Sequence, residues 1–334
     1  MTPKERVIKA LRFEQTDTVP YEIGFTQPAH RKMAEYYGDP DFVPKLGNHL
    51  AGVWHNRPNA WVEIKPDFWR DEFGVVWNRT VDKDIGIVEG YQLREPTLAG
   101  YEFPDPHVES MFDHYPSAIE AHKDKFVVSM IGFSLFERAW TLRGMENLLI
   151  DMIENPGFVH ELLDAICDYN LALVDSALKH DIDACYFGDD WGSQRGLIMG
   201  EERWREFIKP RIARMYGKVR GAGKFVVIHS CGKVQSVFPD LIECGLNCFN
   251  PFQPEVMDPF EMKKLFGGKL AFNGGISIQR LLPFGTPDDV RREVRRLLAE
   301  VGRNGGYIAG PSHALPGDIP AENIAAMIEV LRGQ

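Results

Sequence analysis

The sequence predicts an α/β protein, specifically a single (β/α)8 TIM barrel over residues 1–334. From residue 125 onward, apolar runs that end in glycine or a polar residue alternate with one-sided helical segments. Six such β-α units in a row indicate a parallel sheet. One or two further units from the N-terminal third would bring the count to the eight that close a barrel. No Gly-x-Gly-x-x-Gly follows a predicted strand, so a doubly wound nucleotide-binding sheet is not favoured.

The N-terminal third is less regular. Thr2-Pro3-Lys4-Glu5 is a capping box with proline at the first helical position, and it predicts an opening helix. A strand is predicted over 21–25. Residues from about 54 to 115 are rich in aromatic and turn residues and lack a clear repeat. They predict an insertion with short antiparallel strands, which either covers a pocket or packs onto the main core.

The remaining elements follow from the alternation itself. The predicted strands cover 126–133, 183–188, 225–228, 248–250, 270–273 and 306–310. The predicted helices cover 144–154, 158–180, 201–221, 234–244, 259–266, 287–303 and 320–331.

Composition narrows the class of protein. Hydrophobic residues make up 44% and charged residues 26%, as in an ordinary soluble globular protein. The net charge of −10 argues against nucleic acid or an anionic membrane as partner. The chain shows neither an apolar N-terminal segment after a basic start nor a stretch long enough to span a bilayer, so we expect a cytoplasmic protein. A homodimer is compatible with the sequence.

Five cysteines occur at irregular spacing, which does not fit a secreted disulfide scaffold. We therefore expect reduced thiols, and Cys231 would be free to bind a metal.

The predicted strands end in polar residues, and the carboxyl ends of barrel strands are where active sites lie. Six polar strand ends that face a common mouth predict a functional site. These residues are Ser134 and Glu137, Asp189 to Gln194, His229 to Cys231, Asn250 and Gln253, Asn273, and Ser312 with His313.

The run Phe-Val-Val-Ile-His-Ser-Cys-Gly over 225–232 is the most informative of these strand ends. Because side chains alternate along a strand, His229 and Cys231 point to the same face. Catalytic zinc takes three protein ligands and keeps one position open, and His313 is the best third ligand. The alternative is a hydrogen-bonded core histidine beside a small buried cysteine.

Acidic and aromatic residues nearby admit two interpretations each. Glu137, Asp189 or Asp190 could fill a fourth metal position or orient a ligand histidine. Asp189 and Asp190 could form a catalytic acid pair, or one of them could cap a loop. Trp191 could stack on a substrate ring or pack in the core.

These stretches resemble the uroporphyrinogen decarboxylase superfamily over nearly the whole chain. The resemblance rests on Phe136–Trp140 with Leu142–Gly144, Gly188–Gln194, His229–Gly232, Asn273–Ser277, Pro311–His313 and Pro320–Ile324. That superfamily has two branches on one barrel. One contains the decarboxylases of heme synthesis, which need no cofactor or metal, and the other the corrinoid-dependent methyltransferases, which use zinc.

Two stretches separate the branches. The decarboxylases carry paired arginines after the first strand, because clustered carboxylates call for guanidinium forks. Those paired arginines are missing from residues 24–31 here. The methyltransferases carry His-x-Cys-Gly, which stands at 229–232, and a cysteine near the C-terminus as third ligand. This chain has His313 in that region, where the decarboxylases also have a histidine, so the third ligand stays open.

The resemblance therefore implies a zinc-dependent methyltransferase with His229, Cys231 and His313 as metal ligands. It would move a methyl group between a corrinoid and a small thiol or an O- or N-methyl substrate. A separate corrinoid protein is expected as partner, because the chain lacks an Asp-x-His-x-x-Gly cobalamin-binding pattern. The alternatives are a cofactor-free uroporphyrinogen decarboxylase and a non-catalytic small-molecule-binding barrel.

Roles for the remaining strand-end residues follow from this hypothesis. Catalytic roles fall to Glu137 and Asp190. The predicted substrate-binding residues are Trp191, Gln194, Asn250, Gln253 and Asn273.

Overall fold

A seven-stranded parallel sheet forms the centre of the molecule. The computed structural model describes residues 1–334, apart from the side chain of Glu109. The strands of this sheet are β1 (Leu50–Trp54), β6 (Phe126–Ile131), β7 (Ala184–Gly188), β8 (Phe225–His229), β9 (Cys248–Phe252), β10 (Ala271–Ile276) and β11 (Tyr307–Pro311). They lie side by side in that order with parallel pairing, in an α/β fold of the TIM-barrel type.

The segment from Tyr21 to Phe25 lies between the last and the first strand of the sheet. Tyr21 forms a parallel bridge with Ala309, and Phe25 forms one with Leu315. On the other side, the backbone N–H of His49 donates to the carbonyl of Tyr21 at 3.0 Å. The strand predicted over 21–25 is therefore present as isolated bridges rather than as a continuous ladder.

Helices connect the strands of the parallel sheet. They are α1 (Pro3–Leu11), α2 (Gln27–Tyr37), α3 (Tyr115–Ala121), α4 (Phe136–Arg143), α5 (Met145–Glu154), α6 (Pro156–Ala177), α7 (Gly200–Arg203), α8 (Lys209–Gly221), α9 (Phe238–Glu243), α10 (Pro259–Phe266), α11 (Leu281–Phe284), α12 (Pro287–Glu300) and α13 (Ala321–Arg332). Short 3-10 turns cover Val43–Leu46, Glu109–Phe112 and Gln235–Val237, and a π-helical turn covers Trp204–Ile208.

The structure confirms the predicted start of the first helix, but it does not confirm one continuous helix over 201–221. The Thr2 hydroxyl accepts from the Glu5 backbone while the Glu5 carboxylate accepts from Thr2, which is the predicted capping box. The helix predicted over 201–221 is instead interrupted by the π-helical turn. The sequence patterns do not predict strand β1 or helices α2 and α4.

A second, antiparallel sheet lies within the segment 54–115. Its strands are β2 (Trp61–Lys65), β3 (Phe68–Asp71), β4 (Val76–Asn78) and β5 (Ile87–Val88), in that order. Trp77 anchors this sheet, since it is buried and its ring packs edge-on against Phe133, just beyond the end of β6. That the segment is an insertion into the barrel stays a prediction.

The interior of the parallel sheet has an apolar layer and a polar layer. The apolar layer contains Val128, Ala184, Val227, Cys248, Ala271 and Ile308, and α1 packs against it. On four of these strands, the residue two positions further along the chain is polar. These residues are Tyr186, His229, Asn250 and Asn273. Because successive side chains alternate, these polar residues face the same interior, nearer to the carboxyl ends of the strands.

No helix in the described part of the chain combines the length and the apolarity needed to cross a bilayer.

Candidate functional site

Three potential metal ligands meet at the carboxyl ends of β8 and β11. The ligand atoms of His229, Cys231 and His313 all lie within 4.8 Å of one another. Cys231 Sγ is 3.4 Å from His229 Nε2. The rings of His229 and His313 meet edge to face, with centroids 5.3 Å apart. Two residues of one strand end and one residue of another thus form a compact cluster.

The loop after β8 holds Cys231 in place through a close approach to a second loop. Gly232 has a φ of +87°, and a Cβ at this position would collide with the carbonyl carbon of Gly192. Only glycine accepts that conformation and that contact without strain. The backbone N–H of Gly232 also donates to Gln253 Oε1 at 3.3 Å. The glycine that ends the motif is therefore required by backbone geometry.

Asn250 sets the orientation of the His229 ring. Its Oδ1 lies 2.6 Å from His229 Nδ1. Its Nδ2 donates to the carbonyl of Asn273 at 3.3 Å, which assigns the oxygen to the side facing His229. An amide oxygen only accepts, so Nδ1 carries the hydrogen and the lone pair of Nε2 faces Cys231. This is the arrangement that a metal-ligating histidine requires.

The thiol of Cys231 is kept neutral when no cation is bound. Burial raises the pKa of the Cys231 thiol, and the carboxylate of Asp190 raises it further. Asp190 Oδ1 accepts the backbone N–H of Cys231 at 2.7 Å and lies 3.8 Å from His229 Nε2. A thiol with a raised pKa is a poor free nucleophile. A bound cation would reverse this by stabilising the thiolate.

His313 is the most exposed of the three cluster residues. Partial desolvation lowers the pKa of His313, and the neighbouring His229 lowers it further. A neutral imidazole is the form that ligates metals.

Glu137 is a carboxylic acid beside the cluster. Burial raises the pKa of Glu137 well above its usual value, and the neighbouring carboxylates of Asp190 and Asp189 act in the same direction. A carboxyl group in such surroundings is protonated when its neighbours are ionised, so it can donate a proton. Glu137 and Asp190 therefore form an acid and an acceptor on one side of the cluster.

Asp189 has a structural position. At the start of α4, its carboxylate accepts the backbone N–H groups of Leu135, Phe136 and Glu137 at 2.8–3.1 Å. Burial raises the pKa of Asp189 to about 6, and these hydrogen bonds oppose the shift. Of the two interpretations of the Asp189-Asp190 pair, capping describes Asp189, while Asp190 faces the cluster.

Trp191 is not placed to contact a substrate. It is fully buried, its indole N–H donates to Asp189, and its ring packs against Trp204. The prediction that Trp191 binds substrate is therefore corrected. The apolar body of the side chain fills the core behind the loop, and its one polar atom is already satisfied.

The other predicted substrate residues occupy different positions. Asn250 and Asn273 lie in the interior polar layer, and Asn273 is buried. Gln253 is buried and supports the loop at Gly232. Gln194 is exposed in the turn around Ser193–Gly196. Their roles toward a substrate stay predictions.

Two further interior residues belong to the polar layer and are not among the predicted site residues. Glu22 Oε2 accepts from Asn273 Nδ2 at 3.2 Å, and burial raises the pKa of its carboxyl. The hydroxyl of Tyr186 donates to Asn250 Oδ1 at 3.3 Å, and burial raises its pKa. The sequence holds a signal for Glu22, because a charged residue between the apolar Tyr21 and Ile23 must point to the opposite face.

The donor set fits zinc. One thiolate and two imidazoles are ligands that Zn²⁺ prefers, and three protein ligands leave one position for a substrate. The hydrogen bond from His229 to Asn250 supplies the orientation that such a site needs. The fold and the site together define an α/β protein of the barrel type with a candidate metal centre at the strand ends.

Comparison with known proteins identifies the family. The family model described as uroporphyrinogen decarboxylase (URO-D) matches residues 86–334, so the chain belongs to this family. A uroporphyrinogen decarboxylase of Methylococcus capsulatus is 23% identical over 269 residues, which cover 73% of this chain and 71% of that protein. A methylcobamide:CoM methyltransferase of Methanosarcina barkeri is 24% identical over 177 residues, which cover 53% of this chain and 49% of that protein. The matched segment thus spans about half of the methyltransferase.

A solved structure, described as a methyltransferase from Methanosarcina mazei, shares the fold. The two structures superpose with a TM-score of 0.74 at 18% sequence identity, covering 100% of this chain and 99% of that chain. The relatives therefore include decarboxylases and methyltransferases, and the family contains enzymes of both kinds.

Proposed function

We propose that this protein is a zinc-dependent methyltransferase that moves a methyl group between a corrinoid protein and a small thiol or O- or N-methyl substrate. The observation that carries the proposal is the cluster of His229, Cys231 and His313, whose ligand atoms lie within 4.8 Å of one another. A cofactor-free decarboxylase has no use for such a cluster. The corrinoid partner is proposed because a relative acts on methylcobamide.

The absence of an arginine cluster after the first predicted strand also supports methyl transfer. A substrate with many carboxylates requires several guanidinium groups. Residues 24–31 contain one arginine, Arg31, and it lies exposed on α2. This segment therefore offers no counterpart of the paired arginines that a uroporphyrinogen decarboxylase would use.

Zinc held by His229, Cys231 and His313 would act as a Lewis acid on the heteroatom of a bound substrate. Side chains near the metal would orient a ligand and transfer protons. Asn250 keeps the hydrogen of His229 on Nδ1, so that Nε2 stays available. Glu137 would donate its proton to an oxygen or nitrogen from which a methyl group departs. Asp190 would accept the proton of a thiol substrate.

The test is methyl transfer with methylcobalamin or reduced cobalamin as a substitute for the corrinoid protein. Zinc-loaded protein is incubated with a panel of thiols and O- and N-methyl compounds, and the cobalt–methyl bond is followed by absorbance. We expect turnover with some member of the panel and a loss of at least about 100-fold in Cys231→Ser.

Cys244→Ser is the matched control, because Cys244 lies at the end of α9, away from the cluster. It should keep the full rate. Equal rates in Cys231→Ser and the unmodified protein would contradict the proposal. Formation of coproporphyrinogen at an ordinary enzymatic rate would assign the protein to the decarboxylases, and binding without turnover across the panel would assign it to non-catalytic barrels.

A further inference from the structure

A cavity lies between the antiparallel sheet and the ends of β1 and β6. Its volume is about 390 Å³, within the range of pockets that hold small organic molecules. Trp54, Trp61 and Phe133 supply apolar walls, and Arg79 and Arg138 supply cationic groups. None of these residues belongs to the metal cluster.

The cavity lies close to that cluster. Gly132, which lines it, is adjacent to Gly188, since a Cβ at Gly188 would be 3.5 Å from the Cα of Gly132. Gly188 in turn pairs with His229. Neighbouring strands are ~4.8 Å apart, so a wall of the cavity is on the order of 10 Å from His229. The cavity and the cluster are therefore separated by about two strand spacings at the carboxyl ends of the sheet.

Arg138 presents a buried donor without an acceptor. It is 7% exposed, and its Nη1 is paired with Asp71 Oδ2 at 2.7 Å. Its Nε is buried and has no hydrogen-bond partner among the described residues. Because Nε has almost no accessible surface, a ligand in the cavity does not reach it, and Arg138 holds Asp71 in an ion pair at the cavity wall.

Within the described part of the chain, Arg79 presents a cation that forms no ion pair, and the carboxylate of Asp82 acts on it only at longer range. Its guanidinium lies over the ring of Trp61, 4.5 Å from the centroid, and its Nε donates to the carbonyl of Ile85. No carboxylate among the described side chains forms an ion pair with Arg79. A stacked guanidinium keeps its N–H edge free, and that edge matches a carboxylate.

The carboxyl groups that line the cavity have partners of their own. Asp71 is paired with Arg138, and Glu72 lies 3.5 Å from Arg57. Burial raises the pKa of Glu72, which favours its neutral form. Asp84 accepts the backbone N–H of Gln27 at 3.4 Å. These groups therefore leave the free edge of Arg79 available to an incoming anion.

The rim of the cavity is aromatic. Trp54 is 54% exposed and Trp61 is 42% exposed, although both are large apolar side chains. Exposed aromatic surface around a cavity that also contains cations is typical of a site for a flat ring with a polar substituent.

We propose that this cavity binds a planar aromatic carboxylate, with the ring against Trp54 and Trp61 and the oxygen atoms on Arg79. Such a molecule would be the non-reacting part of an aryl methyl ether substrate. That role rests on the proposed methyltransferase function, whereas the binding itself does not.

The test is calorimetric titration of the full-length, zinc-loaded protein with three probes. These are 4-methoxybenzoate, its neutral analogue 4-methoxybenzyl alcohol, and cyclohexanecarboxylate, which has the charge without the aromatic ring. We expect 4-methoxybenzoate to bind at least about 10-fold more tightly than either of the others. Arg79→Gln should lose that advantage, and Arg79→Lys should keep part of it.

Arg303→Gln is the matched control, because Arg303 is exposed and remote in the fold from the cavity residues. It should bind all three probes as the unmodified protein does. Equal affinity for the acid and the alcohol, or an unchanged affinity in folded Arg79→Gln, would overturn the proposal.

The titration also separates this inference from the proposed function. Cys231→Ser should retain 4-methoxybenzoate binding, because no metal ligand lines the cavity. Binding without methyl transfer would support the cavity assignment while contradicting the methyltransferase. Methyl transfer from donors without a ring, together with no binding of 4-methoxybenzoate, would support the methyltransferase while contradicting the cavity assignment.

Discussion

At the scale of single residues, the hydrogen bond between His229 and Asn250 is the contact on which the metal centre most depends. The 2.6 Å separation of Nδ1 and Oδ1 selects one tautomer of the imidazole. In the proposed site this leaves Nε2 unprotonated toward Cys231 and His313.

We predict that Asn250→Ala lowers zinc affinity by about 10- to 100-fold, because His229 loses the acceptor that orients it. Asn250→Asp retains an oxygen at this position and should stay close to the unmodified protein. Competition with a chromogenic chelator measures both affinities. Equal affinity in Asn250→Ala would show that the ring needs no such support.

Residue positions can be predicted from sequence where strand alternation decides them. His229 and Cys231 are expected on one face, and Nε2 and Sγ are 3.4 Å apart. The burial of Trp191 is not decided by sequence, because a tryptophan after a strand can turn either way. Neither is the pairing of Asn250 with His229, which depends on the register between β8 and β9.

At the scale of elements, the start of α4 depends on one side chain that is remote in sequence. Asp189 accepts three backbone N–H groups there and also the indole N–H of Trp191. It therefore joins the end of β7 to the helix that carries Glu137 and Arg138. Sequence patterns miss this helix because its cap comes from 52 to 54 residues away and no local capping residue marks it.

We predict that Asp189→Ala lowers the free energy of unfolding by about 2–3 kcal/mol, because four donors lose a charged acceptor. Urea denaturation followed by circular dichroism measures the loss. Asp181→Ala, at an exposed position, should change stability by no more than about 0.5 kcal/mol. Comparable effects of the two substitutions would remove the assigned role.

The contact between the segment 21–25 and β1 is expected to depend on pH. His49 is 3% exposed, its Nδ1 accepts the backbone N–H of Tyr21, and Arg6 lies 3.3 Å from its Nε2. Burial lowers the pKa of His49 to about 4, and Arg6 contributes in the same direction. Between this value and the ordinary value near 6.5, the unfolded chain binds a proton that the folded chain does not.

Acidification from pH 6.5 toward pH 4 should therefore reduce stability, by about 2 kcal/mol from His49 after allowance for screening by solvent. His49→Gln keeps an acceptor but does not titrate, so this part of the pH dependence should disappear. His107→Gln, at an exposed position, is the control and should leave the pH dependence of the free energy of unfolding unchanged. Urea unfolding at a series of pH values measures this dependence in both variants. The same pH dependence in His49→Gln as in the unmodified protein would contradict the role assigned to His49.

At the scale of the whole molecule, the order of the β-α units carries most of the prediction. From residue 125 the predicted strands correspond to β6 through β11, and all of them lie in one parallel sheet. The N-terminal third is harder to predict, because its first strand is only two bridges and β1 has exposed residues on one face. Local patterns there are weak, and tertiary contacts decide the structure.

The same architecture explains why the candidate site can be located from sequence before its details are known. Apolar interior residues give way to polar ones along four of the strands, so the polar side chains collect near the carboxyl ends. The cavity beneath the antiparallel sheet cannot be predicted in this way, since it is formed by residues from 54 to 138 that no local pattern connects.

The proposal that the cluster of His229, Cys231 and His313 holds zinc is tested most directly by the zinc content, measured by mass spectrometry, of protein purified without added metal. We predict about one zinc per chain, a loss to background in Cys231→Ser and His313→Ala, and full zinc content in Cys244→Ser. A metal-free protein with an intact fold, or full zinc content in Cys231→Ser, would contradict it.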